Sequence, residues 1–342
     1  MMFRSTAMFR STSARPSQPP LPYAAPSTAA AKLSPPPGSV PVTAIILARD
    51  ECLDIARAVR SVGWCRQVVV VDSGSTDGTP DIARALGATV WEQPWRGFAG
   101  QREWAMRHPD IEHDWVYFLD ADEWVPIELA AEIAERLGRE DCAAYTHRRR
   151  FFFLGRWIAH CGWYTNSWQA RLLDRRFASF ATAEEFSERA SVNGATLALE
   201  HDVIDQDSKG LASWLHKHIT YAELEARRRS SSTRPFQRLR QVLVDNRTTS
   251  TRPLSRAIAR DVVFPLVPFK TPAIFFYMYV FRSGWRDGWQ GLAFCLHRAW
   301  HEKMIYLLNT SVAAPQEAVY PFETVPARTV PLPSPSQSRL AG

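Results

Sequence analysis

The sequence predicts an α/β fold around a mainly parallel sheet, and two observations support that expectation. Apolar, β-rich runs at residues 42–47, 68–71 and 115–119 alternate with segments of helical spacing, an order that builds parallel strands with right-handed crossovers. The second and third runs end abruptly in acids, one in Asp72-Ser-Gly-Ser-Thr-Asp77-Gly-Thr79 and the other in Asp120-Ala-Asp122. Ligands of such sheets bind outside the carboxyl ends of the strands, where these acids fall.

The elements follow in order. Residues 42–47 read as a first buried strand, and residues 50–62 carry helical spacing at Leu53, Ile55, Ala56 and Val59. After the strand at 68–71, residues 79–86 read as a helix with Pro80 at its first position and Gly87 past its end, followed by a short strand at 88–91. No G-x-G-x-x-G follows the first strand and no G-x-x-x-x-G-K-[ST] occurs, which removes the main support for a dinucleotide or P-loop site. An isolated Asp-x-Asp has an ordinary alternative as a turn or helix cap. Paired with the Asp72 loop, it suggests one ligand bridged by a metal. Past residue 145 the alternation gives way to an aromatic and basic stretch, from Arg148 through Phe153 to Trp157, Trp163 and Trp168.

Composition bounds the reading more loosely. The 342 residues are 46% hydrophobic and 22% charged, enough for a substantial core in one large or two modest domains. A net charge of +6 favours anionic partners, whether nucleic acid, an anionic bilayer or a phosphorylated substrate. Five cysteines without a C-x-x-C pair give neither a zinc ribbon nor a disulfide framework, so a reducing cytoplasm is the simplest home. Residues 1–40, rich in Pro, Ser and Ala with two near-copies of Met-Phe-Arg-Ser-Thr, read as a disordered extension, with an organelle transit peptide as the alternative. Residues 313–342 read as a second tail.

Four motifs in order then resemble one family, the inverting glycosyltransferases of family 2, within it most nearly the branch that builds lipopolysaccharide core and surface glycans. They are Val42-Thr-Ala-Ile-Ile-Leu-Ala-Arg-Asp-Glu51, Val70-Val-Asp-Ser-Gly-Ser-Thr-Asp-Gly-Thr79, Trp95-Arg-Gly-Phe-Ala-Gly-Gln-Arg102 and Phe118-Leu-Asp-Ala-Asp-Glu123. Similarity continues at Trp214-Leu-His-Lys-His-Ile-Thr-Tyr-Ala-Glu-Leu-Glu225 and Gly284-Trp-Arg-Asp-Gly-Trp-Gln-Gly291. The chain departs from the family in having Asp50-Glu51 for the usual Asn-Glu and Ser73 where a second Asp is frequent.

The resemblance implies a GT-A fold, a mixed, mainly parallel Rossmann-like sheet sandwiched by helices, with a C-terminal amphipathic helical extension. It implies a nucleotide-diphosphate sugar donor, such as a UDP-hexose, bound by residues 41–145, and a glycan or glycolipid acceptor bound by residues 146–230. Asp122 is then the ligand of Mg²⁺ or Mn²⁺, cations that suit oxygen donors and bridge carboxylate to phosphate. Asp120 takes a ribose or supporting role, and Asp72 contacts the base, with Ala48, Glu51 and Ser73 lining the donor loop. Arg102 is a base or diphosphate contact, or else a surface helix charge; Asp77 belongs to the donor loop or caps the following helix. Inversion needs a carboxylate to take the acceptor proton. Glu188 matches the acid of the family's His-Glu pair, with Glu184 and Glu185 as neighbours that could replace it.

Trp157, Trp163 and Trp168 are candidates for stacking on sugars, or for a core or membrane patch. His216 and His218, two apart, lack the spacing and partners of a zinc site. Residues 262–281 are apolar but contain Pro265, Pro268 and Pro272, which argues against a spanning helix and for an interfacial one. The basic region of residues 231–312, with the helix expected at 291–308 placing Trp300 and Tyr306 among apolar positions and His297, Arg298, His301 and Lys303 among polar ones, suits an anionic membrane surface. The expected location is cytoplasmic, peripheral on the inner face of the cytoplasmic membrane. The alternatives are a nucleotidyltransferase, whose glycine-rich loop is missing, and a nucleic-acid module, whose phosphates the strand-end acids would repel.

Overall fold

The computed structural model describes residues 36–138, 141–180, 189–231 and 270–311, so Glu184, Glu185 and Glu188, most of both expected tails and residues 232–269 lie outside the described residues. Its centre is β1 (Val40–Ala48), flanked by the parallel strands β2 (Cys65–Asp72) and, later in the chain, β4 (Trp115–Asp120). Between them come α1 (Ile55–Ser61), α2 (Thr79–Ala85), β3 (Thr89–Glu92) and α3 (Phe98–Met106). Next are β5 (Glu123–Trp124), α4 (Ile127–Arg136), β6 (Ala144–His147), β7 (Arg149–Phe153) and β8 (Arg156–Trp157). The strands β9 (Gln169–Asp174), β10 (Ala178–Phe180), β11 (Ala190–Val192), β12 (Thr196–Ala198) and β13 (Val203–Asp205) precede the helices α5 (Gly210–Ser231), α6 (Lys270–Phe276) and α7 (Gly288–Ser311).

Seven strands form the main sheet in the order β12-β6-β9-β4-β1-β2-β3, with β9 antiparallel to both of its neighbours and the other pairs parallel. This is the mixed, mainly parallel architecture expected. Because β1 is enclosed on both faces, its run is apolar without alternation. Ala44 and Ile46 pack toward Ile55 and Val59 of α1, Ala83 of α2 and Leu129 and Ile133 of α4; Ile45 packs with Ala99, Ala105 and Met106 of α3. Each fully buried Ile or Val contributes roughly 1.5–3 kcal/mol of burial free energy, which fixes the strand ends that carry the acids.

The helix expected from Asp50 starts only at Ile55. Asp50 adopts a left-handed conformation, φ 51°, and the backbone N–H groups of Glu51 and Cys52 donate to Thr79 Oγ1 and Asp77 Oδ2, so this segment is a loop tied to the loop after β2.

A smaller sheet, β5-β13-β7-β8, leads to the C-terminal helices. Phe151, Phe153, Trp214, Met278 and Phe294 form a separate aromatic core there, and Ala222, Ala226 and Ile305 join α5 to α7. The segment from Gly284 to Gly291 is the tightest contact. A Cβ on Gly291 would overlap the Gly284 carbonyl oxygen, and one on Gly284 would lie 2.8 Å from Cys161 Sγ and 2.9 Å from Cys295 Sγ. Between them, buried Asp287 accepts hydrogen bonds from His160 N–H at 2.9 Å and pairs with His160 Nδ1 at 2.7 Å.

Candidate active site

Parallel register sets the site. Ala48 lies beside Asp72 and Leu47 beside Asp120, so the acids of the second and third runs meet across the end of β1. Asp72 spends its carboxylate on its own loop: Oδ2 accepts the N–H groups of Gly74 and Ser75 at 3.0 and 2.9 Å, and Oδ1 accepts Ser75 Oγ–H. Gly74, at φ 85°, allows that reversal. Ser73 is buried, donates its N–H to Ala48 O and accepts Gln101 Nε2–H at 3.2 Å. Asp77 links both loops, accepting from Cys52 N–H at 2.9 Å and from Thr79 N–H at 3.1 Å at the start of α2. The α2 cap residue itself is Gly78.

Asp120 is held by two guanidiniums. Arg102 Nη2 donates to its Oδ1 at 2.9 Å and Arg171 Nη2 to its Oδ2 at 2.8 Å. Arg102 is 2% exposed on α3, so it is no surface helix charge, and Nε and Nη1 have no hydrogen-bond partner among the described residues. Burial alone would raise the Asp120 carboxyl, but the charges of Arg171 and Arg102 outweigh it and hold the group well below the usual carboxylate range. Glu123 Oε2 accepts the Asp120 N–H at 3.1 Å, and Arg149 reaches Glu123 at 3.5 Å and Asp205 at 3.2 Å. This buried network forms the floor beneath the strand ends.

Asp122 is arranged differently. Its carboxylate is 15% exposed and faces Lys217 Nζ of α5 at 3.4 Å, while Glu51 pairs with Lys209 through Oε1 and leaves Oε2 without a hydrogen-bond partner among the described residues. The Asp122 charge holds Lys217 well above the usual ammonium range. Burial, then the Asp122 charge, push the Glu51 carboxyl up to about 8 against the pull of Lys209. Burial with the charges of Asp122 and Glu123 likewise pushes Asp205 up to about 8, against Arg149. Asp122 is therefore a partly exposed carboxylate paired with Lys217, beside acids whose carboxyls are raised chiefly by burial. Among the described residues no three His, Cys, Asp or Glu side chains stand together as a self-sufficient metal cage. A hard cation there would take Asp122 together with oxygens of its ligand and water, the usual way Mg²⁺ is held beside phosphate.

Of the residues singled out by sequence, Ala48, Glu51, Asp72, Ser73, Arg102, Asp120 and Asp122 cluster at this end of the sheet, whereas Glu188 lies outside the described residues. Sequence reasoning missed Arg171, Lys209, Lys217 and Asp205. Arg171 had a signal, a charge inside the apolar strand β9; Lys217 lay within a motif already noted. Trp163 packs on Phe294, centroids 5.6 Å apart, in the C-terminal core. Trp168 is exposed under the Arg148 guanidinium at 5.0 Å, and Trp157 lies under Arg150 at 5.1 Å. His218 stacks on Trp214 and faces His297 at 4.9 Å, while His216 is exposed.

The site thus sits on an α/β, mainly parallel sheet with acids at the ends of β2 and β4, which flank β1. Residues 43–183 match the family described as Glycosyl transferase family 2, so the chain contains a domain of that family. An uncharacterized glycosyltransferase of Rickettsia felis is 43% identical over 93 residues, 27% of this chain and 32% of that protein. The lipopolysaccharide core biosynthesis glycosyltransferase LpsC of Rhizobium meliloti is 30% identical over 122 residues, 34% of this chain and 44% of LpsC. The chain thus spans about a third of the length of the Rickettsia felis relative and less than half of LpsC. Among solved structures, S. aureus TarS residues 1–349 align with 14% identity and a TM-score of 0.35 over 49% of this chain and 60% of that one. The glucosyl-3-phosphoglycerate synthase of Mycobacterium tuberculosis, in complex with Mn²⁺, UDP and phosphoglyceric acid, aligns with 20% identity and a TM-score of 0.28 over 38% and 49%.

Proposed function

We propose that the chain is a metal-dependent inverting glycosyltransferase that moves a hexose from a UDP-type donor to a lipopolysaccharide-core or lipid-linked glycan acceptor in surface polysaccharide synthesis. The observation that carries this reading is the division of labour between the two strand-end acids. Asp120 is held by Arg102 and Arg171, while Asp122 is partly exposed at the cleft and pairs with Lys217. Similarity over part of LpsC supports the acceptor class.

In this reading Asp122 holds Mg²⁺ or Mn²⁺, which when bound neutralises the diphosphate as it departs. Lys217 lies beside Asp122 and adds a second positive charge toward the phosphates. The Asp72 loop and Ser73 receive the base, and Asp120, fixed by its two arginines, receives the ribose. The acceptor hydroxyl attacks the sugar's anomeric carbon in line as the carbon–oxygen bond to the diphosphate breaks, and its proton passes to the carboxylate of Glu188. We place the reaction at the inner face of the cytoplasmic membrane, where a lipid-linked acceptor is presented.

The test is a panel of nucleotide sugars assayed with Mn²⁺ for binding, hydrolysis and transfer. Asp122→Ala is expected to abolish metal-dependent turnover, a loss of about a thousandfold or more, consistent with several kcal/mol of charge stabilisation. Unchanged turnover in that variant, or no nucleotide diphosphate bound in the presence of Mn²⁺, would sink the assignment. Glu188→Gln is expected to bind donor normally and lose transfer; full transfer would remove Glu188 as the base.

A further inference from the structure

The outward side of α7 is more apolar than an ordinary solvent-facing helix. Trp289, Leu292, Leu296, Trp300 and Leu307 are 36–62% exposed. At 3.6 residues per turn these positions fall within an arc of about 80°, a stripe about 27 Å long. The buried side of the same helix holds Phe294, Cys295 and Ile305, but also His297 and His301. Sequence reasoning assigned these histidines to a polar exterior, whereas the structure turns both inward and leaves the Trp and Leu side chains outside. Immediately upstream, Phe276, Tyr277, Val280 and Phe281 are also exposed, at 50–78%, and Trp285 at 57%.

An exposed, largely apolar stripe of this kind, with Lys303 set among the Trp and Leu side chains, marks an interaction surface. We infer that it is a membrane-docking face, which lies in the plane of an anionic bilayer with the α7 stripe set among the headgroups and upper acyl chains. Three features of the chain favour a lipid surface. Trp and Tyr are the side chains suited to the membrane–water boundary, with an apolar ring and a polar edge. The exposed charge beside it is basic: Arg156 and Arg286 are exposed near the start of α7, and Lys303 is exposed on the helix itself. Finally, no helix among the described residues is long and apolar enough to cross a membrane, so the stripe suits an in-plane attachment. The inference deepens the proposed lipid-linked acceptor, yet it is tested without donor or acceptor, so either can fail alone.

The experiment partitions the full chain onto vesicles of phosphatidylcholine with phosphatidylglycerol, and onto phosphatidylcholine alone, by cosedimentation. Wild type is expected to bind the anionic vesicles more strongly and to retain part of that binding in high salt. The variant Trp289→Ser, Leu296→Ser, Trp300→Ser is expected to lose on the order of a hundredfold in partition, with its thermal midpoint and Mn²⁺-dependent donor hydrolysis unchanged, because those side chains face outward. Equal binding by this variant, or no binding of wild type to either vesicle, overturns the proposal. So does wild-type self-association that the three substitutions abolish while vesicle binding persists, which would make the stripe an interface between copies.

Discussion

The cleft at the strand ends and the outer side of α7 invert the usual distribution of polarity in opposite ways. In the cleft, Arg102, Arg171, Glu123 and Asp205 are ionisable groups enclosed by protein, joined to the half-buried Asp120 and Arg149. On α7, Trp289, Leu296 and Trp300 are apolar groups left outside while His297 and His301 are taken in. Enclosing charge is costly unless each ion is paired, and exposing large aromatics gives up burial free energy. Under the proposed function and the proposed membrane docking, both costs keep surfaces for ligands. The difference is the kind of ligand each surface fits, a multiply charged one in the cleft and an extended apolar one along the helix.

The comparison is tested most severely by breaking the network under the cleft. Arg171→Ala leaves Asp120 and Glu123 enclosed with less cation, and a loss of about 3–5 kcal/mol in urea denaturation is expected. Trp300→Ser on α7 is expected to change stability by no more than about 0.5 kcal/mol. Similar values for the two variants would erase the contrast between a surface the fold depends on and one it merely displays.

Gly291→Ala comes next. Its methyl would overlap the Gly284 carbonyl oxygen in the tightest part of the C-terminal core, at an expected cost of about 1–3 kcal/mol. Native-state hydrogen exchange should show the loss in α6 and α7 while β1 and β4 keep their protection. Uniform loss across the main sheet would mean that the two regions unfold as one unit.

Asp205 in the cleft and the histidine cluster under α7 should also answer pH with opposite signs. The Asp205 carboxyl, at 3.8 in the unfolded chain and about 8 when folded, binds more protons in the folded state between those values, so its contribution to stability falls as pH rises through that window. In the histidine cluster, burial lowers His218 to about 4 and His297 to about 3, the latter also facing His218, His301 and Arg298. These imidazoles bind fewer protons when folded, so stability falls as pH drops below about 6.5. Asp205→Asn should reduce the slope of the alkaline limb, which Glu51 shares, and His297→Phe that of the acid limb, which His218 shares, in denaturation curves across pH. A single variant that flattens both would contradict the separation.

How much of this could be read from sequence differs between the regions for physical reasons. The runs at 68–71 and 115–119 were legible because strands enclosed on both faces are continuously apolar, and their acids because they stop those runs. Arg171, Lys209 and Lys217 were not, since pairing with Asp120, Glu51 and Asp122 depends on bringing together segments 51, 158 and 95 residues apart. The start of α1 was misplaced because hydrogen bonds from a distant loop, at Thr79 and Asp77, outcompete the helical tendency of residues 50–54. On α7 periodicity gave the helix but not its orientation. Imidazoles pass as polar exterior by type, and only the packing of Trp214 and His218 against His297 shows that they face inward.

The smallest effect expected tests whether the donor loops belong to the rigid cleft. Asp77 fastens the loop after β1 to the start of α2 through Cys52 N–H and Thr79 N–H, without touching the acid network below. Asp77→Ala should cost only about 1 kcal/mol in stability, the usual scale for losing such hydrogen bonds. Its larger consequence should fall on function. Asp50 and Asp72, which hold Thr76 and Gly74 from the two sides, and the Glu51 N–H bond to Thr79 Oγ1 would then organise the loops, so donor binding should weaken while turnover at saturating donor is nearly kept. A drop in kcat with donor affinity preserved would place Asp77 among groups that act on the reacting sugar, and would extend the cleft's charged machinery into a loop that the structure shows serving the backbone.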